Sequence, residues 1–132
     1  MDKNLQENLP IYMQIMNAVR EAIASGELAA GARVASVREL AGEFEVNPNT
    51  MQRALNELER EGLLVSERTS GRFVTKDTAS IDALRERLAA EAAGRFIGEM
   101  QRLGFSEKET ASFFRESCER HAAAELSFAE LG

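Results

Sequence analysis

The chain has 132 residues, of which 44% are hydrophobic and 29% are charged, with a net charge of −6 at pH 7; this length suits one compact domain or a small domain with an appendage. With one cysteine and one histidine, the composition excludes an internal disulfide framework, catalytic triads and metal sites built from several His or Cys side chains. Because no apolar run approaches the roughly 18 residues of a membrane helix and the N-terminus lacks a signal-peptide pattern, we expect a cytoplasmic protein without a membrane partner.

The first predicted element is a helix that follows Pro10, a residue suited to the first turn of a helix. Apolar residues recur from Ile11 to Ile23 at the spacing of one helical face. Gly26 is expected to end this helix in a left-handed conformation. Residues 32–34 then predict a short strand.

Two further helices follow in close succession. Ser36 and Glu39 form a capping-box pattern at the start of the first, and its apolar face is expected to consist of Val37, Leu40, Ala41 and Phe44. Asn47 is the predicted N-cap of the second, with Pro48 at its first position. Gly62 ends it.

A two-stranded hairpin, residues 63–67 and 72–76, is predicted after Gly62, with a turn at 68–71. We place a boundary in the polar stretch after it, so that residues 1–78 form one domain and residues 79–132 a second segment. In that segment we expect a helix over about 81–103, a stop at Gly104, and a second helix opened by the Ser106–Glu109 capping box. This last helix is expected to fray after about residue 122.

The predicted fold is therefore mainly α: a winged helix-turn-helix domain, with three helices and a small β-hairpin wing, followed by a short two-helix dimerisation segment. Helix, turn, helix and hairpin in this order are typical of proteins that bind duplex DNA.

The second helix of the helix-turn-helix carries a polar face. Asn49, Gln52, Arg53 and Asn56 stand at i, i+3, i+4 and i+7, which places them on one side. Asn and Gln pair with adenine in the major groove, and Arg pairs with guanine. A solvated helix face without a ligand would have the same residue types, and the polar face alone does not distinguish the two interpretations. The preceding capped helix, the turn and the following basic hairpin favour the DNA interpretation.

Further DNA contacts are predicted around this face. Those expected near the helix starts are Arg38, Asn47 and Thr50, and those at the wing tip are Arg68, Ser70, Gly71 and Arg72. The net negative charge alone argues against DNA binding. However, no Asp or Glu occurs from 46 to 56 or from 68 to 76, and screening limits the influence of distant charges.

The sequence also resembles a known family. GELAAGARVASVRELA at 26–41 resembles the N-terminal signature of the GntR family of bacterial transcription regulators, and VNPNTMQRAL at 46–55 and ELEREGL at 57–63 continue it. Asn-Pro-Asn-Thr at 47–50 is similar to the YtrA-like subfamily. The resemblance is strong over residues 10–76, and the helical tail is similar to the subfamily's dimerisation segment in length and helicity.

The resemblance implies a transcription regulator, by default a repressor, that binds a pseudo-palindromic operator as a homodimer. Arg38 and Gly71 match the family's arginine and wing glycine. Ala35 stands where the family usually has proline. Pro48 and Gln52 stand where many members have arginine, so less base recognition by arginine is expected here.

The C-terminal helices are predicted to form the dimer interface, because an apolar stripe on a long helix needs a partner surface. The expected interface residues are Ile81, Leu84, Leu88, Ala92, Phe96, Met100, Phe113 and Phe114. A two-fold dimer would present two recognition helices to DNA. Packing of the stripe within a monomer is the alternative.

Other functions are weighed against this one. A winged helix that serves as a protein-interaction module without DNA would suit the net charge, but it would not need an acid-free polar face. Catalysis is disfavoured, and no cofactor or metal is expected. A small-molecule effector is compatible with the helical segment, but the sequence identifies none. Cys118 and His121 are spaced for a metal or redox switch, although a buried cysteine beside a surface histidine is the simpler expectation.

Overall fold

The computed structural model describes residues 8–131, and the side chains of residues 8–126. It confirms the mainly α fold with a two-stranded antiparallel sheet. The elements in chain order are α1 (Ile11–Ser25), α2 (Val37–Phe44), α3 (Pro48–Arg60), β1 (Leu64–Glu67), β2 (Gly71–Val74), α4 (Thr78–Arg102) and α5 (Glu107–Leu131).

Local capping chemistry sets the helix ends. The Ser36 Oγ accepts the Glu39 amide N–H at 3.1 Å, and the Asn47 Oδ1 accepts the Asn49 amide N–H at 2.8 Å. These bonds satisfy amide groups that have no partner within the helix. Gly26, after α1, is left-handed with φ of 87°. The predicted bounds of α1, α2 and α3 therefore agree closely with the structure.

The core of the N-terminal unit lies between α1 and α3. α1 contributes Ile15, Val19 and Ile23, while α3 contributes Leu55 and Leu58 among others. Phe44 departs from the prediction: at 39% exposure it lies at the surface rather than in the buried face of α2. Ala41 alone is fully buried in that short helix.

The wing is a hairpin whose register pairs Leu64 with Val74 and Glu67 with Gly71. The short predicted strand at 32–34 is an isolated bridge, in which Arg33 pairs with Phe73. The Val34 amide donates to the Arg72 carbonyl at 2.9 Å, which attaches the segment before α2 to the wing.

The chain divides into two compact units between Leu88 and Ala89, within α4. This boundary lies after the predicted one at 78, because Leu84 is buried in the core of the first unit and Ile81 and Leu88 pack against it. The functional division at residue 78 stays a prediction. In the second unit, Ser106 and Glu109 form the expected capping box: the Ser106 amide donates to Glu109 Oε1 at 2.9 Å, and the Glu109 amide donates to Ser106 Oγ at 3.1 Å.

α5 extends to Leu131, beyond the predicted fraying point near residue 122. The stretch from 122 to 125 is Ala-Ala-Ala-Glu, whose helix propensity is high even though its amphipathic pattern is weak. Across the described helices, none combines the length and apolar character needed to cross a membrane.

Candidate nucleic-acid interface

The polar face of α3 is open to solvent. Asn49, Arg53 and Asn56 are exposed, and Gln52 is half-buried. The opposite face holds Met51 and the other buried residues of α3, so the helix presents its polar side outward. The sequence prediction that these four residues share one accessible face agrees with their placement.

Two amides on this face are joined. The Gln52 Nε2 donates a hydrogen bond to the Asn56 Oδ1 at 2.8 Å. This bond leaves the Gln52 carbonyl oxygen and the Asn56 amide N–H groups available, so the pair retains both an acceptor and donors. Such a linked pair has fewer rotamers to lose on binding than two independent side chains.

The Arg53 side chain contacts a residue of α1. Its guanidinium carbon lies 3.9 Å from the centroid of the Tyr12 ring, a cation–π contact. Tyr12 itself is half-buried and packs against the core. Sequence reasoning did not identify Tyr12, because nothing in the periodicity of α1 shows which residue of α3 it meets.

The acidic residues at the C-terminal end of α3 are paired. Glu57 accepts from the Arg60 Nη1 at 3.0 Å. Glu61, just after the helix, forms an ion pair with Arg20 of α1, in which the Arg20 Nε donates to Glu61 Oε1 at 3.0 Å. The negative charge next to the polar face is therefore offset by neighbouring arginines.

Glu59 connects α3 to the wing. Its Oε1 accepts a hydrogen bond from the Arg72 Nε at 2.6 Å and another from the Ser66 hydroxyl. Partial burial raises the pKa of Glu59, but the hydrogen bonds from Ser66 and Arg72 and the charge of Arg72 outweigh it and leave that pKa below its usual value.

This contact gives Arg72 an environment that the sequence did not predict. Its side chain is 15% exposed and its guanidinium is bonded to Glu59. Arg68, Ser70 and Gly71, the other predicted wing residues, are exposed. A direct contact between Arg72 and DNA stays a prediction that requires this bond to be shared or released.

The tip of the wing depends on Gly71 and on a residue the sequence analysis missed. Gly71 has φ of 109°, and a Cβ atom there would lie 3.2 Å from the Arg33 Nε. Arg33 therefore places an exposed guanidinium over the end of the wing. The signal available in the sequence was the short strand at 32–34, which puts Arg33 beside the hairpin once it pairs with β2.

A cleft separates the start of α2 from the wing. Its volume is about 540 Å³, and its lining includes side chains of both charge signs. The lining residues are Arg33, Val34, Ala35, Ser36, Glu39, Ser66, Glu67, Gly71 and Arg72.

The predicted contact residues near the helix starts are accessible to different degrees. Arg38 and Asn47 are exposed, and Thr50 is half-buried. The Asn47 Oδ1 is used by the cap, which leaves the amide N–H groups of that side chain as donors.

The predicted dimer residues fall into two groups. Leu84 is 5% exposed and packs with Ile81 and Leu88 on the core of the N-terminal unit, so these three have partners within their own chain. The predicted dimer stripe is therefore not continuous along α4, because the first turns of this helix complete the core of the winged domain. Met100 is also buried.

Three of the remaining residues, Ala92, Phe96 and Phe114, line an apolar groove within the second unit. Phe114 is 56% exposed and Ala92 is exposed, while Phe96 is half-buried and lies 6.0 Å from Phe114, centroid to centroid. Phe113 is not part of the groove lining and is packed edge-on against Phe105. The groove has a volume of about 820 Å³ and is lined by Ala92, Ala93, Phe96, Ile97, Gln101, Glu107, Thr110, Ala111 and Phe114.

Cys118 is exposed, which corrects the expectation of a buried cysteine. His121 is exposed as well, and its Nε2 lies 3.1 Å from the Glu125 Oε1. In the part of the chain that the structure describes, no three His, Cys, Asp or Glu side chains are grouped to hold a metal ion.

Comparison with known proteins identifies bacterial transcription regulators as relatives of this chain. The family described as "Bacterial regulatory proteins, gntR family" matches residues 11–74. The uncharacterized HTH-type transcriptional regulator YhcF of Bacillus subtilis is 36% identical over 109 residues, which cover 83% of this chain and 90% of that protein. The HTH-type transcriptional repressor YtrA of the same organism is 38% identical over 72 residues, 54% of this chain and 55% of that protein.

A solved structure extends the likeness to the C-terminal helices. A GntR family transcriptional regulator from Listeria monocytogenes matches with a TM-score of 0.77 and 36% identity, over 83% of this chain and 96% of that one. The similarity therefore covers more than the helix-turn-helix and the wing.

Proposed function

Because the chain belongs to the GntR family of bacterial transcription regulators, with the YtrA-like subfamily among its relatives, we propose that this DNA-binding regulator represses transcription by binding a pseudo-palindromic operator as a homodimer. The observation that carries the proposal is the exposed, acid-free face of α3 in a chain of this family. It acts in the cytoplasm, where its DNA target lies.

The proposed base contacts come from Asn49, Gln52, Arg53 and Asn56. In a helix-turn-helix the second helix lies in the major groove, and its outward side chains reach base edges. The Gln52–Asn56 pair offers the donor and acceptor pattern that suits adenine, and Arg53 offers the donors that suit guanine. Asn47 and Thr50 are placed at the start of α3 for contacts to phosphate.

The proposed backbone contacts lie on either side of that helix. Arg38 is exposed near the start of α2, and Arg68 and Ser70 are exposed at the wing. Arg33 joins them, because its guanidinium lies over Gly71 at the wing tip. Arg72 supports the wing through Glu59, so we assign it no base contact.

Local charge supports DNA binding despite the net charge of −6. Glu57, Glu59 and Glu61 each have an arginine partner, so they present less repulsion to phosphate than free carboxylates would. A protein-interaction module that does not bind DNA would not require this arrangement. The family assignment also favours the DNA-binding regulator.

A homodimer is supported by the apolar groove of the second unit. Its volume of about 820 Å³ and its exposed Phe114 and Ile97 leave apolar surface uncovered in the single chain. Large exposed apolar patches mark interaction sites, and two-fold dimers are the commonest oligomers. Each subunit would then place one recognition helix in one half-site, with half-sites about one helical turn apart.

Repression is proposed because the relative YtrA is named a transcriptional repressor. A regulator bound across a promoter blocks polymerase without any additional domain. In vitro transcription from a bound promoter would decrease as protein is added, and an increase would identify an activator instead.

The test is DNA-binding titration at several salt concentrations, after selection of bound sequences from a random pool. Wild type should bind the selected site with an affinity that falls steeply with salt, because cations are released from phosphates. Asn49→Ala should weaken binding at one base pair of each half-site by about 1–3 kcal/mol. Arg85→Ala, which removes an exposed positive charge from α4, is the control and should bind almost as well as wild type.

Selection of no sequence, or an affinity independent of salt, would reject DNA binding as proposed here. Equal weakening by Asn49→Ala on every sequence would instead assign Asn49 to the phosphate backbone.

A further inference from the structure

Two contacts fix α1 against α3. Tyr12 and Arg20 of α1 meet Arg53 and Glu61 at the other helix. The spacing is eight residues on each chain segment, about 12 Å of helix at 1.5 Å per residue. The earlier residue of α1, Tyr12, contacts the earlier residue, Arg53, and the later residue of α1, Arg20, contacts the later one, Glu61. Because the order of the contacts is the same, α1 and α3 run in the same direction with matched registers.

The position of the Tyr12 ring is therefore fixed by the packing of α1 as well as by the contact with Arg53. Tyr12 packs on the core, and the buried face of α1 continues through Ile15, Met16 and Val19. The ring is a fixed surface against which the long, exposed Arg53 side chain is ordered. A free arginine side chain loses rotamer entropy when it is immobilised, and part of that loss has already occurred in the stacked state.

Stacking also leaves the guanidinium able to bind. The ring covers one planar face of the cation, whereas the five N–H donors of a guanidinium point outward in its plane. Arg53 stands four residues after Asn49 on the same side of α3. A stacked Arg53 can therefore still direct its donors towards a base edge or a phosphate oxygen.

We propose that Tyr12 is a positioning residue for DNA recognition, which holds the Arg53 guanidinium at the edge of the polar face of α3. By this proposal α1, which carries none of the predicted DNA contacts, contributes to affinity and base preference through one aromatic ring. The inference rests on the proposed function, and it adds a residue outside the helix-turn-helix to the interface.

The experiment is a double-mutant cycle on the selected DNA site. The variants are Tyr12→Leu, Arg53→Ala and the combination, with Tyr12→Phe as the matched control that retains the ring. We expect Tyr12→Phe to bind within about twofold of wild type and Tyr12→Leu to bind about 2- to 10-fold more weakly, since an exposed cation–π contact is modest in size. In the Arg53→Ala background, Tyr12→Leu should have no further effect.

A second readout separates positioning from stability. Tyr12→Leu and Arg53→Ala should relax base preference at the same base pair, tested with single-base variants of the site. A ring that only stabilised the fold would lower the melting temperature without changing base preference at that position. If Tyr12→Leu does not fold, Tyr12→Met replaces it, because methionine also fills apolar space without an aromatic face.

Three results would overturn the inference while leaving the proposed DNA binding by the other residues of α3 intact. They are additive effects of the two substitutions, an Arg53→Ala variant that binds like wild type, or a Tyr12→Phe variant as weak as Tyr12→Leu, which would indicate a role for the hydroxyl. In each case wild type would still bind with salt sensitivity, and Asn49→Ala would still weaken it. Failure of wild type to bind any DNA would reject the proposed function itself.

Discussion

Glu59 on α3 accepts a hydrogen bond from the Arg72 Nε on β2 at 2.6 Å, and this ion pair joins the recognition helix to the wing. The Ser66 hydroxyl on β1 bonds to the same carboxylate oxygen. Both strands of the wing are thus tied to one residue of α3. The orientation of the wing therefore depends on a side-chain network as well as on the hairpin backbone.

This network predicts different roles for two wing arginines. Arg72→Ala should lower stability by about 1 kcal/mol, as expected for loss of a partly exposed ion pair, and should leave the salt dependence of DNA binding nearly unchanged. Arg68→Ala should leave stability unchanged but reduce the salt slope by about 1, because it removes a proposed phosphate contact. Thermal unfolding and salt titrations measure the two effects. Equal reductions in salt slope would show that Arg72 contacts DNA as well.

The lowered pKa of Glu59 predicts a pH-dependent contribution to stability. Since the pKa of Glu59 is lower in the folded chain than the ordinary glutamate value of 4.5, the unfolded chain binds the proton more readily. The stabilisation is fully present above about pH 4.5 and is lost as pH falls through the folded pKa. Glu59→Gln should therefore reduce the free energy of unfolding at pH 7, and the difference from wild type should shrink on acidification.

Urea unfolding across pH 3–7 is the measurement for Glu59, in the wild-type and Arg72→Ala backgrounds. Without Arg72 the pH-dependent difference should be smaller, because one cause of the lowered pKa is gone. A difference that is constant with pH in both backgrounds would mean that the Glu59 charge is not the source of stabilisation.

The turn between α2 and α3 contains a strained residue. Glu45 has φ of 56°, in the left-handed region that non-glycine residues disfavour by about 1–2 kcal/mol. Asparagine adopts this conformation more readily, so Glu45→Asn should raise the free energy of unfolding by about 0.5–1 kcal/mol. Glu45→Val, with a β-branched side chain, should lower it. A calorimetric melting series would contradict this account if Val were the more stable of the two.

Replacement of glycine by alanine should have opposite effects on stability at two positions of the N-terminal unit. Gly71→Ala should destabilise the wing, because φ is 109° and the new Cβ would meet the Arg33 side chain at 3.2 Å. Gly42→Ala is the matched control: it lies within α2 with nothing near the new Cβ, so it should stabilise by about 0.5–1 kcal/mol. Thermal unfolding of both variants would count against this explanation if their order were reversed.

The proposed dimerisation through the second unit predicts a position that is sensitive to an introduced charge. Phe114→Glu should convert the proposed dimer to a monomer, because it puts a carboxylate into the apolar groove. Leu103→Glu is the control, at a residue 72% exposed and outside the groove lining, and should leave the mass in sedimentation experiments unchanged. Dissociation by Leu103→Glu but not Phe114→Glu would place the interface elsewhere.

Sequence reasoning succeeded where a feature is local. The bounds of α2 and α3 follow from Ser36, Asn47 and Pro48, whose effects act within one helical turn. The shared polar face of Asn49 and Asn56 follows from helical geometry. Such features need no knowledge of what lies across the core.

It failed where a side chain meets a residue distant in sequence. The stack of Arg53 on Tyr12 spans 41 positions and the Arg72–Glu59 bond spans 13, and no periodicity encodes either. The burial of Leu84 in the winged-domain core has the same origin: an amphipathic pattern shows that a partner exists but not which surface it is. The extension of α5 reflects alanine propensity that outweighed its weak amphipathic pattern.

The equal spacing of the two α1–α3 contacts has an evolutionary consequence. Substitutions between Tyr12 and Arg20 need to preserve the apolar side of α1 and the Asn17 side chain that accepts from the Arg20 Nη1, so the other positions there can vary. A single inserted or deleted codon is different, because it rotates the preceding part of the helix by about 100° relative to the rest. Tyr12 would then leave Arg53 while Arg20 kept Glu61, so we expect natural relatives to vary in residue identity across this segment while keeping its length.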